Sequence, residues 1–318
     1  MLTPYSRFSG CCWPWAFRSP WAFFQAGTPP KKRPPSTPLK RFAMNKVREV
    51  AAHDPWWKTN SASLRQGRSL ALAFARRDLR LRYTQTRLAW LWAVVQPVGL
   101  IAALTVVLGR VFGLPPDGLR QFGLNLAVAL PGWIWFQFTV SQGAQSLISN
   151  QSLVSKAAFS RTALANAKAL VGLVDFAVGT AVVLLGLLTV GAVEAFALLR
   201  VPLVAAYTAL AALGWAYLIA AVSVRRRDVL AVLPMLLQIL FFISPVALPS
   251  ANFEPKGWGL LYWLNPAVAM ADGFRWAWLG WNVWQPAHAI SFASGGLSFA
   301  AGILAMRWRS RRLNEFLG

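Results

Sequence analysis

The sequence predicts an all-α integral membrane protein with six transmembrane helices and both termini on the cytoplasmic side. Six stretches of 21 to 28 residues contain no Asp, Glu, Lys or Arg except Asp175, and about 20 apolar residues cross ~30 Å of hydrocarbon. The stretches are 88–109, 121–148, 169–190, 201–222, 229–249 and 286–306. When they are threaded up and down, all but five of the 32 lysines and arginines lie on one side. Positive charge near spans stays cytoplasmic, which gives the orientation.

The composition agrees with a chain surrounded by lipid. The mean hydropathy is +0.46, and 56% of the residues are hydrophobic. A net charge of +22 would suggest nucleic acid in a soluble protein. Here the basic residues flank the spans, so topology and anionic headgroups explain them, and we expect no nucleic-acid binding. Cys11 and Cys12 are adjacent, and His53 and His288 are the only histidines, so neither a disulfide framework nor a metal site is expected.

The chain outside the spans divides into three segments. Residues 1–43 are rich in proline, and their apolar part is interrupted by proline and arginine, which is typical of a disordered extension. A translation start at Met44 is the alternative. Residues 44–87 form a cytoplasmic region before a membrane domain at 88–306, and residues 307–318 form a basic cytoplasmic tail.

Two regions outside the spans are predicted to contain short helices. Residues 70–87 hold five arginines and several apolar residues without a clean amphipathic stripe, which favours a helix at the cytoplasmic interface. The external region 250–285 has two apolar runs, 258–264 and 267–271, which are too short to cross the bilayer and favour re-entrant helices. Within it, Asp272 and Arg275 are three residues apart and would be neighbours on a helix.

The residues of an enzyme are missing from the sequence. No G-x-x-x-x-G-K-[ST] phosphate loop occurs, so ATP hydrolysis by that route is excluded. The ten acidic residues mostly stand alone, and no nucleophile, base and acid can be nominated together. We therefore expect no catalytic residues, no cofactor and no metal in this chain.

The segment RRDLRLRYTQTRLAWLWAVVQP at 76–97 resembles the start of the first span in polysaccharide-export ABC permeases of the type 2 exporter family. Six more motifs follow in that family's order, SKAAFSR at 155–161, GLVDF at 172–176, RDV at 227–229, SPV at 244–246, LNP at 264–266 and GFR at 273–275. Ser160 replaces a usual proline, which affects the turn of the loop, and Ala89 replaces a common glycine. The likeness covers roughly 75–282.

The resemblance implies a homodimer that works with two copies of a separate cytoplasmic ATPase, on which ATP and Mg²⁺ would bind. The family's loop between spans two and three docks on that ATPase as a coupling helix. Carried onto this chain, the contact residues are Lys156, Phe159 and Arg161. The alternative is that they anchor a surface turn against the headgroups.

The resemblance also gives residues 70–87 the role of a gate helix beside the polymer entrance. Arg77, Arg80, Arg82 and Tyr83 become contacts for the pyrophosphate of a lipid-linked glycan, since guanidinium pairs with phosphate through two donors. Ordinary flanking of a span by positive charge explains the arginines equally well. Aromatic residues of spans one and two are candidates for the lining of a conduit or, alternatively, headgroup anchors; these are Trp90, Trp92, Trp133, Trp135 and Phe136.

Asp175 is the one carboxylate inside a predicted span, where an ionised acid is costly. We expect it to hydrogen-bond to a neighbouring helix, in protonated form if need be, and proton coupling is the weaker alternative. The sequence thus favours a multi-pass inner-membrane permease that exports a lipid-linked polysaccharide or polyol-phosphate chain. A related permease that exports a small hydrophobic drug or lipid is the alternative, and a membrane-embedded transferase or phosphatase is a second.

Overall fold

The computed structural model describes residues 61–84, 89–111, 113, 115–151, 161–250 and 259–317, and these ranges contain helices and no strands. The helices are α1 (Ser61–Thr84), α2 (Ala89–Val111), α3 (Pro116–Ser149), α4 (Thr162–Val190), α5 (Ala197–Ser223), α6 (Asp228–Ile243), α7 (Gly259–Trp263), α8 (Pro266–Leu279) and α9 (His288–Leu317). The predicted extension 1–43, and residues 44–60 after it, lie outside the described part. The expected all-helical architecture is confirmed for the remainder.

Five of these helices, α2, α3, α4, α5 and α9, are long and apolar enough to cross a membrane. Each overlaps one of the predicted spans, and α9 continues beyond the predicted end at 306 into the predicted tail 307–318. Helix α4 begins at Thr162, seven residues before the predicted stretch 169–190. The end of the predicted loop, residues 162–168, is therefore the first part of this helix.

The remaining predicted span, 229–249, is only partly helical. Helix α6 has 16 residues, which is about 24 Å at 1.5 Å per residue and shorter than the hydrocarbon core. The helix ends at Ile243 because Ser244 precedes Pro245, and the residue before a proline is driven out of the helical region. Ser244 accordingly has φ −80° and ψ 150°. The sequence-based length of this span was therefore too long for its helix.

Helix α3 is the centre of the fold and packs against α2, α4, α5, α6 and α8. Its buried residues, among them Leu126, Leu130 and Phe136, form most of the main hydrophobic core. The side of α3 that meets α8 carries Gly132, where an added Cβ would lie 2.2 Å from the Phe274 ring. An apolar stretch of 28 residues with this many contacts therefore functions as a central helix rather than as a lipid-facing one.

Helices α5 and α9 approach each other until their backbones touch. A Cβ on Gly214 would lie 2.5 Å from the backbone nitrogen of Phe299, and a Cβ on Gly302 would lie 2.6 Å from the carbonyl oxygen of Gly214. Small residues allow this kind of helix contact in membranes, where packing rather than hydrophobic transfer holds helices together.

The region predicted to be external contains two short helices, α7 and α8, at the positions of the two predicted apolar runs. Asn265 begins α8 by accepting a hydrogen bond from the backbone N–H of Ala267 at 3.0 Å, with Pro266 in the first turn. The last turn ends at Gly280, whose φ of 67° suits glycine. Almost all of α8 is buried, so this helix is part of the bundle's packing, whereas only Tyr262 and Trp263 of α7 are buried. The depth of both helices in the outer leaflet stays a prediction.

Candidate functional site

Helix α1 lies against α4 and is held there by small residues. Ala75 of α1 is buried against Ala167 and Val171 of α4, with Phe74 and Leu79 at the edge of the contact. Alanine lets two helices approach closely. This explains why α1 shows no stripe of large apolar residues although one of its faces is buried.

Two ion pairs join α1 to α4 beside this contact. Lys168 Nζ lies 2.7 Å from Asp78 Oδ2, and Arg82 Nη1 lies 2.5 Å from Asp175 Oδ2. Asp78 also accepts hydrogen bonds from Arg77 at 2.9 and 3.0 Å. We call Asp78, Lys168, Arg82 and Asp175 the α1–α4 clamp.

The clamp carboxylate on α1 is stabilised in its charged form. Burial alone would raise the pKa of Asp78, but hydrogen bonds and charge from Lys168 and Arg77 hold that pKa below its usual range. Asp78 is therefore ionised at neutral pH, and its pair with Lys168 is an attraction between full charges.

Asp175 has a partner on a neighbouring helix, and that partner is Arg82. The Arg82 guanidinium also lies over the Phe138 ring, 5.6 Å from its centroid, where a cation is attracted by the aromatic face. A carboxylate paired with a guanidinium carries no net charge, which lowers the cost of placing it in a span. The acid that stands alone in the sequence is therefore part of an inter-helix contact.

The other predicted gate residues are distributed over different sides of α1. Arg77 bonds to Asp78, and Arg82 bonds to Asp175. Arg80 is exposed, and the side chain of Tyr83 lies outside the described residues. Two of the four residues predicted to contact a pyrophosphate thus have carboxylate partners within the protein, and the pyrophosphate contact itself stays a prediction.

The predicted coupling residues precede α4. Arg161 is half-buried and directly precedes the first turn of that helix, whereas Lys156 and Phe159 lie outside the described residues. At the end of α3, Gln151 Oε1 accepts a hydrogen bond at 3.3 Å from Arg227 at the start of α6. Gln151 and the turn between α5 and α6 therefore lie on the same side of the bundle.

Three of the aromatic residues nominated for a conduit are buried within the subunit. Trp133, Trp135 and Phe136 are 2 to 5% exposed. The Trp135 ring stacks on Phe176 with centroids 4.8 Å apart, and its Nε1 donates to the Ala169 carbonyl at 3.0 Å. Within one subunit these rings pack the core, and their exposure to a conduit stays a prediction. The side chains of Trp90 and Trp92 lie outside the described residues.

A second polar cluster surrounds Arg275, which is fully buried in α8. Its Nη1 lies 2.6 Å from Asp272 Oδ1, its Nε donates to Asn125 Oδ1 at 2.9 Å, and its Nη2 donates to the Val246 carbonyl at 2.8 Å. The other oxygen of Asp272 lies 3.0 Å from His288 Nε2. We call these residues the α8 polar cluster; it joins α8 to α3, to the chain after α6, and to α9.

The charge of Asp272 is set by these contacts. Burial would raise the pKa of Asp272, but the hydrogen bond from His288 and the charge of Arg275 keep that pKa below its usual range. The spacing of Asp272 and Arg275 predicted their contact, which is present. Asn125 and His288 were not predicted as partners; polar residues within or beside apolar stretches were the available signal.

The described residues hold no group of three or more His, Cys, Asp or Glu side chains placed to bind a metal ion. Both clusters instead have the features of structural contacts between helices. The clamp ties the helix before the first span to the helix that follows the predicted coupling loop.

Comparison with known proteins identifies the family. The ABC-2 type transporter family matches residues 70–279, which is most of the described part of the chain. The O-antigen export system permease protein RfbA of Myxococcus xanthus is 25% identical over 217 residues, which cover 67% of this chain and 81% of that protein. The protein of the same name from Klebsiella pneumoniae is 19% identical over 207 residues, which cover 65% and 78%. The chain therefore belongs to the ABC-2 type transporter family.

Proposed function

We propose that this chain is the permease subunit of an ABC exporter that moves a lipid-linked polysaccharide or polyol-phosphate chain across the inner membrane. The observation that carries the proposal is the similarity to two O-antigen export permeases over two thirds of the chain. The order of the motifs between 76 and 275 supports the same substrate class. A multi-pass protein with apolar helices of this length is a resident of the membrane.

We assign the energy source to a separate ATPase. The permease family supplies the membrane component of ABC transporters, and this sequence carries no phosphate loop of its own. ATP and Mg²⁺ would therefore bind to the partner subunit. We place the contact with that subunit at Lys156, Phe159 and Arg161, since the loop that contains them leads directly into α4.

The apolar surface of α6 is compatible with a homodimer of six-crossing subunits. Helix α6 buries only Leu233 and Leu237 among its described residues, and it leaves Met235 and Phe242 each 64% exposed. In a membrane such apolar side chains can face either lipid or a second subunit, and we assign them to a second subunit because the family resemblance implies a homodimer. We take α6, together with the non-helical residues 244–249 that follow it, as the fifth crossing, with the arginine-rich turn at 225–227 in the cytoplasm.

The α1–α4 clamp suggests how ATPase movement reaches the gate. A push on the loop before Thr162 displaces α4 along its axis, because a helix transmits displacement as a rigid body. The two ion pairs lie within the first four turns of α4, so α1 follows. In this mechanism the coupling loop, α4 and α1 move together to open or close the polymer entrance.

A deletion strain tests the proposed substrate class. Without this chain, the surface glycan should be lost while glycan of full length accumulates inside the cell, and the wild-type gene should restore display. Normal surface glycan together with increased sensitivity to hydrophobic drugs would instead identify a small-molecule exporter. Co-purification of the intact membrane complex should bring down an ATPase encoded nearby, and its absence would contradict the assigned energy source.

A further inference from the structure

A long apolar groove runs along the side of the bundle between α4 and α5. Its volume is about 1010 Å³, and its lining spans Asn166 to Leu184 on α4, which is roughly 27 Å at 1.5 Å per residue. This length is close to the thickness of the hydrocarbon core. The groove is partly open to the surroundings rather than enclosed, so an occupant can enter from its open side.

The walls of the groove are built from small side chains over an aromatic floor. Ala169, Ala177 and Ala181 of α4 face Ala205 and Ala209 of α5. The stacked rings of Trp135 and Phe176 line it as well. Alanine side chains are small, so they leave space between the two helices for an apolar chain.

One end of the groove is polar and positively charged. Arg68 of α1 is exposed there, and it is the one charged residue among the described residues that line the groove. Asn166 and Tyr217 lie at the same end and are hydrogen-bonded to each other. Arg68 has no hydrogen bond or ion pair with any described residue. The charge distribution of the sequence assigns this end to the cytoplasmic side.

We propose that this groove binds an anionic glycerophospholipid of the cytoplasmic leaflet, with the acyl chain along the alanines and the phosphate at Arg68. The apolar lining matches the chain, and the single guanidinium matches the single charge of a phosphodiester. A pyrophosphate headgroup would call for more than one cation at this end. The bound lipid contacts α1, α4 and α5 at once, so it acts as a third link between α1 and the spans.

This inference goes beyond the proposed transport function and does not depend on which chain is exported. Arg68 lies ten residues before Asp78 on α1, which is about 15 Å along the helix. The clamp holds the C-terminal half of α1, and the lipid holds its N-terminal half. Anionic lipid in the membrane would therefore keep the whole of α1 against the bundle.

Native mass spectrometry of the full-length complex in detergent tests the site, with phosphatidylglycerol, phosphatidylcholine and undecaprenyl phosphate as probes. We expect one tightly bound phosphatidylglycerol per subunit. Arg68→Gln should lower the affinity for phosphatidylglycerol about fivefold, which is the contribution of one arginine to the binding of an anionic lipid. Arg76→Gln removes the same charge from an exposed position of α1 outside the groove and should leave the affinity unchanged.

A second pair of variants tests the groove itself. Ala177 is exposed and lines the groove, so Ala177→Phe should fill it and abolish the retained lipid without disturbing the core. Ala301→Phe adds the same ring at an exposed position of α9 outside the groove and should have no effect. Three results would each overturn the proposal: equal weakening by Arg68→Gln and Arg76→Gln, equal affinity for phosphatidylcholine, or displacement of phosphatidylglycerol by undecaprenyl phosphate at lower concentration.

Discussion

Arg82 Nη1 and Asp175 Oδ2 lie 2.5 Å apart and join the helix before the first span to the third helix of the membrane domain. The two residues are 93 positions apart in the sequence. Their contact pairs the one acid of the predicted spans with a residue of the predicted gate. The positions of both residues in the family's motifs gave no indication that they would meet.

Reversal of the Arg82 charge alone should release α1 from α4, and exchange of the two charges should restore the contact between the helices. Arg82→Asp places two acids together. The free energy that holds α1 against α4 should fall by no more than about 1 kcal/mol, because the Arg82 side chain is 44% exposed. The double variant with Asp175→Arg should regain most of that free energy. Labelling of a cysteine at the buried Ala75 measures the release. Arg76→Asp is the control, and failure of the double exchange to restore protection would contradict the pairing.

The pair between Asp78 and Lys168 predicts a specific pH dependence. The folded-state pKa of Asp78 is below its usual value of about 3.9, so its contribution is present in full above that value and is lost as the pH falls through the folded pKa. Hydrogen exchange of α1, corrected for intrinsic rates, should be flat between pH 5.5 and 8 and increase only in acid below about pH 4. Asp78→Asn should lower the hydrogen-exchange protection of α1 by about 1–2 kcal/mol at all pH values above about 4. A transition near pH 6 in the wild type would contradict this.

Loss of Arg275 should destabilise the protein strongly. Arg275→Met would leave the carboxylate of Asp272 buried without its cation, which costs about 3–5 kcal/mol. Arg200→Met is the matched control, because Arg200 pairs with Glu194 at 3.5 Å on a partly exposed surface and should change stability by less than about 1 kcal/mol. Thermal unfolding in detergent measures both. Equal effects of the two substitutions would show that the α8 polar cluster is not a structural centre.

A side chain at Gly214 should separate α5 from α9. In Gly214→Val the new Cβ would meet the Phe299 backbone at 2.5 Å, and overpacking of this kind costs about 1–3 kcal/mol. Gly186→Val on α4 is the control, since no atom lies within 4 Å of its Cβ position. Yield of folded protein and its unfolding temperature should fall for the first variant alone. A tolerated Gly214→Val would mean that the two helices can move apart.

The sequence predicted those parts of the fold that depend on charge and length. Absence of charge located all five long spans, and Asn265-Pro266 correctly separated two short helices. The end of α6 at Ile243 was missed because the apolar pattern continues through Ser244 and Pro245, although proline already marked the boundary. An apolar run measures compatibility with lipid, and it does not measure helix length.

The contacts of the two polar clusters could not be predicted in the same way. Asn125 and Arg275 are 150 residues apart, and their pairing depends on which faces of α3 and α8 meet. The docking face of α1 was hidden because its buried residues are Ala71 and Ala75 rather than large apolar ones. Which helices pack together depends on their surface shape and on the positions of small residues. Small residues leave no strong periodic pattern in a single sequence, so these contacts could not be predicted from it.

The most direct measurement is the amount of surface glycan in cells that carry Arg161→Glu in place of the wild-type chain. If the loop before α4 couples this permease to an ATPase, reversal of that charge should abolish surface glycan and uncouple the ATPase activity of the purified complex, with the protein still present in the membrane. Arg120→Glu, an exposed charge reversal on α3 that the threading puts on the opposite side, should leave display intact. Unchanged surface glycan with Arg161→Glu would contradict the proposed route of coupling.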